Sequence, residues 1–78
     1  MRTKWEIMVE VLELLKEPQQ AWDVVRLAGL GWSTWNRLRP RLMARGFIHK
    51  VDGKYLITEQ GEEFLNRLKA VFSLWEEE

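Results

Sequence analysis

The chain contains no cysteine and a single histidine, His49. A disulfide framework and a thiolate metal site are therefore excluded, and one imidazole cannot supply the ligand cluster of a zinc ion. No metal and no cofactor is expected. No apolar run approaches the ~20 residues of a membrane span. Glu6, Glu10 and Glu13 interrupt the apolar residues near the N-terminus, which removes a signal-peptide pattern. The expectation is a soluble, cytoplasmic protein without membrane contact. The equipment of an enzyme is also lacking. With no thiol, one imidazole and two serines, there is no set of nucleophile, base and orienting group. No glycine-rich phosphate loop is present either. The 78 residues make one small domain, with no second domain to hold a small-molecule ligand. So small a domain is marginal alone and needs dense apolar packing or a partner subunit. Five tryptophans supply much of the apolar area.

What the chain does have is an uneven distribution of charge. Twelve basic and twelve acidic residues cancel overall. Residues 1–25 carry a net −2, residues 26–54 a net +6 and residues 55–78 a net −4. The middle segment holds Arg26, Arg37, Arg39, Arg41, Arg45, Lys50 and Lys54 against Asp52 alone. A neutral chain with a cationic middle has one face suited to a polyanion. Solvated faces usually mix signs, so nucleic acid is the favoured partner over an ordinary charged surface.

The order of elements follows from periodicity. Over residues 2–16, Trp5, Met8, Leu12 and Leu15 share one helical face, with Ile7, Val11 and Leu14 flanking it. Pro18 ends this helix. A second helix is predicted over about residues 20–28, with Trp22 and Val25 inward, joined by Val24 and Leu27, and Gly29 as its stop. A third starts near residues 31–33 and runs to Arg45, with Trp35, Leu38 and Leu42 inward and Met43 beside them. Pro40 lies inside it and is expected to kink or split it. Residues 47–51 and 54–58 are β-prone and bracket Asp52-Gly53, the signature of a two-residue hairpin turn. Thr58 is a good N-cap for a last helix that carries Glu59, Glu62 and Glu63 in its first turns.

Two helices joined by a short glycine-containing turn make a helix-turn-helix, and a hairpin directly after the third helix makes a wing. The segments 30–36 (LGWSTWN), 42–48 (LMARGFI) and 52–65 (DGKYLITEQGEEFL) resemble those of archaeal winged helix-turn-helix proteins. The likeness is strongest to the small type that dimerises through a C-terminal helix, and the run from wing strand through T-E-x-G to F-L is its most specific part. The resemblance covers about residues 5–75. It implies an α+β, mostly helical fold over residues 1–78. It also implies double-stranded DNA as partner, bound by the third helix and the wing, in a dimeric transcriptional regulator or a small chromatin-like protein. An alternative is a winged helix that binds proteins through the same surfaces.

Particular residues can be assigned to that task. Arg37, Arg41 and Arg45 recur every fourth residue and so share a helical face. Phosphate contact suits all three, with Arg37 also able to grip a guanine through its fork. Asn36 and Thr34 are candidates for base edges, Asn36 for adenine. Ser33 fits equally a helix cap or a DNA contact. Trp35 is in phase with the core, whereas Trp32 is open to either core or stacking on nucleic acid. His49, Lys50 and Lys54 flank the hairpin tip, where they reach phosphates or protect a strand edge. In the last helix, residues 59–75, the residues Leu65, Leu68, Phe72 and Trp75 follow coiled-coil spacing and are the expected homodimer interface. Phe64 and Val71 form a neighbouring stripe expected to pack on Trp5, Met8 and Leu12.

Overall fold

A computed structural model describes residues 2–76, and the side chains of residues 2–74. The elements run α1 (Lys4–Leu14), α2 (Ala21–Ala28), α3 (Trp32–Ala44), β1 (Ile48–Val51), β2 (Lys54–Ile57) and α4 (Glu59–Glu76). This is the α+β order expected from the sequence.

Local chemistry sets the boundaries. Thr3 and Glu6 form a capping box at the start of α1, each side chain accepting from the other's backbone N–H at 3.1 and 3.0 Å. Gly29 closes α2 in the left-handed region. The N-cap of α3 is Gly31, and no side chain caps that end. Ser33 is therefore not a cap. α3 runs unbroken through Pro40, so the proline does not split it. Asp52 and Gly53 both have positive φ, 52° and 77°, as the tight turn of the hairpin requires.

The antiparallel hairpin pairs Ile48 with Ile57 and Val51 with Lys54. A third piece of chain joins it. Gln19 and Tyr55 exchange backbone bonds at 3.0 and 2.7 Å, and the N–H of Ile57 donates to the carbonyl of Leu15 at 2.8 Å. The link after α1 thus covers one edge of the wing.

The core gathers Val11, Leu12 and Leu15 from α1, Val24, Val25 and Ala28 from α2, and Trp35 and Leu42 from α3. Ile48, Tyr55 and Ile57 of the hairpin and Leu65 of α4 complete it. The rings of Trp35 and Tyr55 meet edge to face at 5.3 Å. Several apolar residues expected inside are not. Trp22, Leu27 and Met43 are exposed, because α2 and α3 each present only a narrow stripe to the core, and Trp5, in the first turn of α1, is exposed as well. Val71 is exposed too, so only Phe64 of its stripe packs inward, where it stacks on Phe47 at 4.4 Å. Leu65 is fully buried within the chain, which removes it from any partner surface. Leu68 and Phe72 are half-buried, and the side chain of Trp75 lies outside the described residues.

α4 is held at two points. Near its middle, Lys69 reaches Glu13 of α1 at 2.7 Å, with Lys16 on the same carboxylate at 3.4 Å. The hydrogen bond from Lys69 is the main cause of a lowered Glu13 pKa. A lowered carboxylate pKa adds stability above its unfolded value that is lost as pH falls through the folded one, and here the half-exposed site keeps it small. At its start, Thr58 binds three backbone groups. Its hydroxyl donates to the carbonyl of Gly46 and accepts from the N–H of Gly61 at 3.0 Å, while its own N–H donates to Phe47 at 2.9 Å. Gly61 lies against this junction. A Cβ there would sit 2.1 Å from the carbonyl oxygen of Phe47 and 2.7 Å from Cγ1 of Ile57.

Gly61→Ala should cost about 2–3 kcal/mol, lowering Tm by roughly 10–20 °C. Gly53→Ala, whose Cβ would meet open space, should cost only about 1 kcal/mol for its left-handed backbone. Equal losses in thermal melts would discount the close approach at Gly61. Pro40→Ala restores a helical N–H on an exposed position and should raise stability by about 1–3 kcal/mol. An unchanged Tm would mean that α3 already accommodates the ring without cost.

Candidate nucleic-acid interface

α3 turns about 100° per residue, and burial fixes its orientation. Trp35 and Leu42 point to the core. Ser33, Arg37, Pro40 and Ala44 lie opposite and are all exposed. Thr34, Arg41 and Arg45 lie on one flank and Trp32, Asn36 and Arg39 on the other. The four-residue spacing of the arginines drifts by about 40° per step. Arg37 therefore lies at the edge of the outward face, and Arg41 and Arg45 turn further toward α1.

That flank forms a groove with α1. Lys4, Trp5 and Met8 stand on one wall, Leu38, Arg41 and Arg45 on the other, and the stacked Phe47 and Phe64 close one end. An adjoining hollow brings Thr34, Arg37 and Arg41 beside Lys4 and Ile7. Lys4 thus joins the cationic surface, although it belongs to the acidic first third of the chain. Only tertiary contact brings it there, so no local signal marks it. Thr34 lines this hollow, half-buried, rather than the outward face.

On the other flank, Arg39 donates to the side-chain oxygen of Asn36 at 3.0 Å and lies 5.9 Å from the centre of the Trp35 ring. Asn36 is exposed, and this bond holds its carbonyl end and turns the amide N–H₂ free. Arg39 thus stands beside Asn36, on the flank opposite Arg41 and Arg45.

The wing residues are split between two faces. Register places Lys50 opposite Tyr55 and His49 opposite Leu56. Side chains alternate along a strand, so Lys50 lies on the side of buried Tyr55, its ammonium 5.5 Å from that ring centre. His49 and Lys54 lie on the other side. All three are exposed, but they do not form one patch.

The ion pairs sort the cations into two sets. Among the described residues, Arg2, Lys16, Arg26, Arg67 and Lys69 pair with Glu10, Glu13, Asp23 or Glu63. Lys4, Arg37, Arg39, Arg41, Arg45, Lys50 and Lys54 form none of these pairs. The paired cations flank α1, at Arg2 and Lys16, or lie on α2 and α4. The others, Lys4 excepted, lie on α3 and the wing.

This arrangement agrees with comparisons to known proteins. A family model described as winged helix-turn-helix matches residues 1–76. The uncharacterized protein MJ0290 of Methanocaldococcus jannaschii is 32% identical over 74 residues, covering 94% of this chain and 35% of that protein. The uncharacterized protein MJ0287 of the same archaeon is 28% identical over 74 residues, covering 94% of this chain and 76% of that protein. The chain therefore spans about a third of one relative and three quarters of the other. No helix among the described residues is long and apolar enough to cross a membrane. With two helices meeting at a glycine turn, a hairpin wing behind the second of them, and a family match over nearly its whole length, the chain belongs to the winged helix-turn-helix family.

Proposed function

We propose that this chain is a double-stranded DNA-binding protein, acting as a dimeric transcriptional regulator or a small chromatin-like protein. The observation that carries the reading is the segregation of ion pairs. Among the described residues, the cations elsewhere, Lys4 excepted, pair with neighbouring carboxylates, while those of α3 and the wing form no such pair and suit an outside anion. The outward face of α3, with Ser33 and Arg37, enters the major groove. Asn36 reaches base edges from one flank, and Arg41 and Arg45 hold phosphates on the other. The wing, a two-residue turn with His49, Lys50 and Lys54 around it, lies along the backbone.

Six phosphates neutralised per dimer give a log–log salt slope near −5.4, or roughly a thousandfold loss of affinity between 0.1 and 0.4 M salt. A flat salt response in a duplex titration would refute this reading. Alanine at Lys50 or Lys54 should weaken binding to every sequence alike. Alanine at Arg37 or Asn36 should cost about 1–3 kcal/mol on a selected site and relax its specificity. Four equal effects would make the protein a binder without base reading.

The dimer is carried by the far end of α4. This helix has 18 residues, about 27 Å at 1.5 Å per residue. Its first half is buried through Leu65, but Val71 and Leu74 are 61% and 71% exposed. Together with half-buried Leu68 and Phe72 they make an apolar end that a second copy can cover. A two-fold pair would set two α3 helices about 34 Å apart, in successive major grooves of a palindromic site. The wild type should sediment as a dimer at micromolar concentration, and a Val71→Glu/Leu74→Glu variant as a folded monomer. A monomeric wild type would sink the dimer.

A further inference from the structure

Trp22 and Trp32 are exposed by 59% and 45%, yet they lie against each other, ring centres 6.3 Å apart and planes 26° from parallel. Trp22 stands in the first turn of α2 and Trp32 is the first residue of α3. The pair therefore marks the mouth of the helix-turn-helix. A centre separation this long leaves much of each ring face uncovered. We propose that the two indoles are a stacking platform for an unpaired nucleobase, so that the protein prefers DNA with an extrahelical base beside a duplex. This rests on the DNA-binding reading and adds a substrate class to it.

The chemistry around the pair selects the occupant. Asn36, one turn from Trp32, is exposed and bonded to Arg39, and Arg37 stands on the neighbouring outward face. Neither arginine has a carboxylate partner among the described residues. The acid nearest in sequence to Trp22, Asp23, is held by Arg26 at 3.2 Å. Aromatic faces beside unpaired cations match a strand whose bases stack and whose phosphates need neutralising. A fully paired duplex cannot use such faces. Its bases cover one another and offer only their edges to the grooves. An unstacked base offers a ring face. Because each indole already props the other, less rotamer freedom remains to be lost when a base lands on them.

The test compares dye-labelled duplex DNA with the same duplex carrying one bulged thymidine, by fluorescence anisotropy. The wild type should bind the bulged form about tenfold more tightly or better. Trp32→Ala and Trp22→Ala should each lose most of that preference, while affinity for the paired duplex stays within about twofold. Trp32→Phe should keep it. Circular dichroism melts confirm that the variants are folded. Equal binding of both DNAs by the wild type overturns the platform and leaves DNA binding intact. Loss of affinity for both DNAs in equal measure on Trp32→Ala also overturns it. So does a Trp32→Ala variant that keeps the preference and changes only its sedimentation, which would give the stack to a second copy. Binding of neither DNA overturns the DNA-binding reading itself.

Discussion

The junction around Thr58 is the point on which the rest of the molecule depends. Its hydroxyl and N–H bind the backbone of Gly46 and Phe47, at the close of α3, while it caps α4 through Gly61. Three elements therefore share one anchor: the end of α3, the last wing strand and the first turn of α4. The missing side chain at Gly61 lets α4 come down onto the carbonyl of Phe47. The Phe47–Phe64 stack then fills the space beside it. This fixes the angle at which α4 leaves the wing, and with it the contact between α4 and α1. It also fixes the direction of α3 relative to the hairpin.

Around that frame, burial and charge divide the surface. The core takes one narrow stripe from each helix, so a chain rich in tryptophan cannot bury all of it. Trp35 goes in, against Tyr55, while Trp5, Trp22 and Trp32 stay largely outside. Carboxylates are placed where they neutralise the cations that flank α1 and those on α2 and α4, and α3 has none of its own. Composition alone shows a neutral protein. Only the pairing shows which cations are spoken for.

Much of the fold was legible because its signals are local. Thr58 as a cap, Asp52-Gly53 as a turn and the phase of Trp35 with Leu42 each depend on a few neighbouring residues, and each stands in the structure as expected. The edge pairing of Gln19 with Tyr55 was not legible, since one bridge leaves no alternation to detect. The eight residues of α2 give too short a run to fix its phase, and Trp22 and Leu27, expected inside, are exposed. The T-E-x-G run was recognisable as a pattern, but its reason, a hydroxyl cap followed by a close backbone approach, needs three dimensions. In the candidate site the basic helix was visible and its division was not. A four-residue spacing carries Arg37, Arg41 and Arg45 across two surfaces, and Lys4 joins them only through the packing of α1.

The unpaired arginines have a cost within the free protein. Arg37, Arg41 and Arg45 stand one helical turn apart, and like charges at that spacing repel by about 0.2–0.5 kcal/mol per pair. The N-terminal end of α3 has no side-chain cap, and Pro40 removes one of its internal bonds. This helix is thus under electrostatic tension, which a bound anion would relieve. Salt then acts on α3 in two opposite ways. It screens the repulsion and steadies the helix in the empty protein, and it competes with the polyanion that would steady it more.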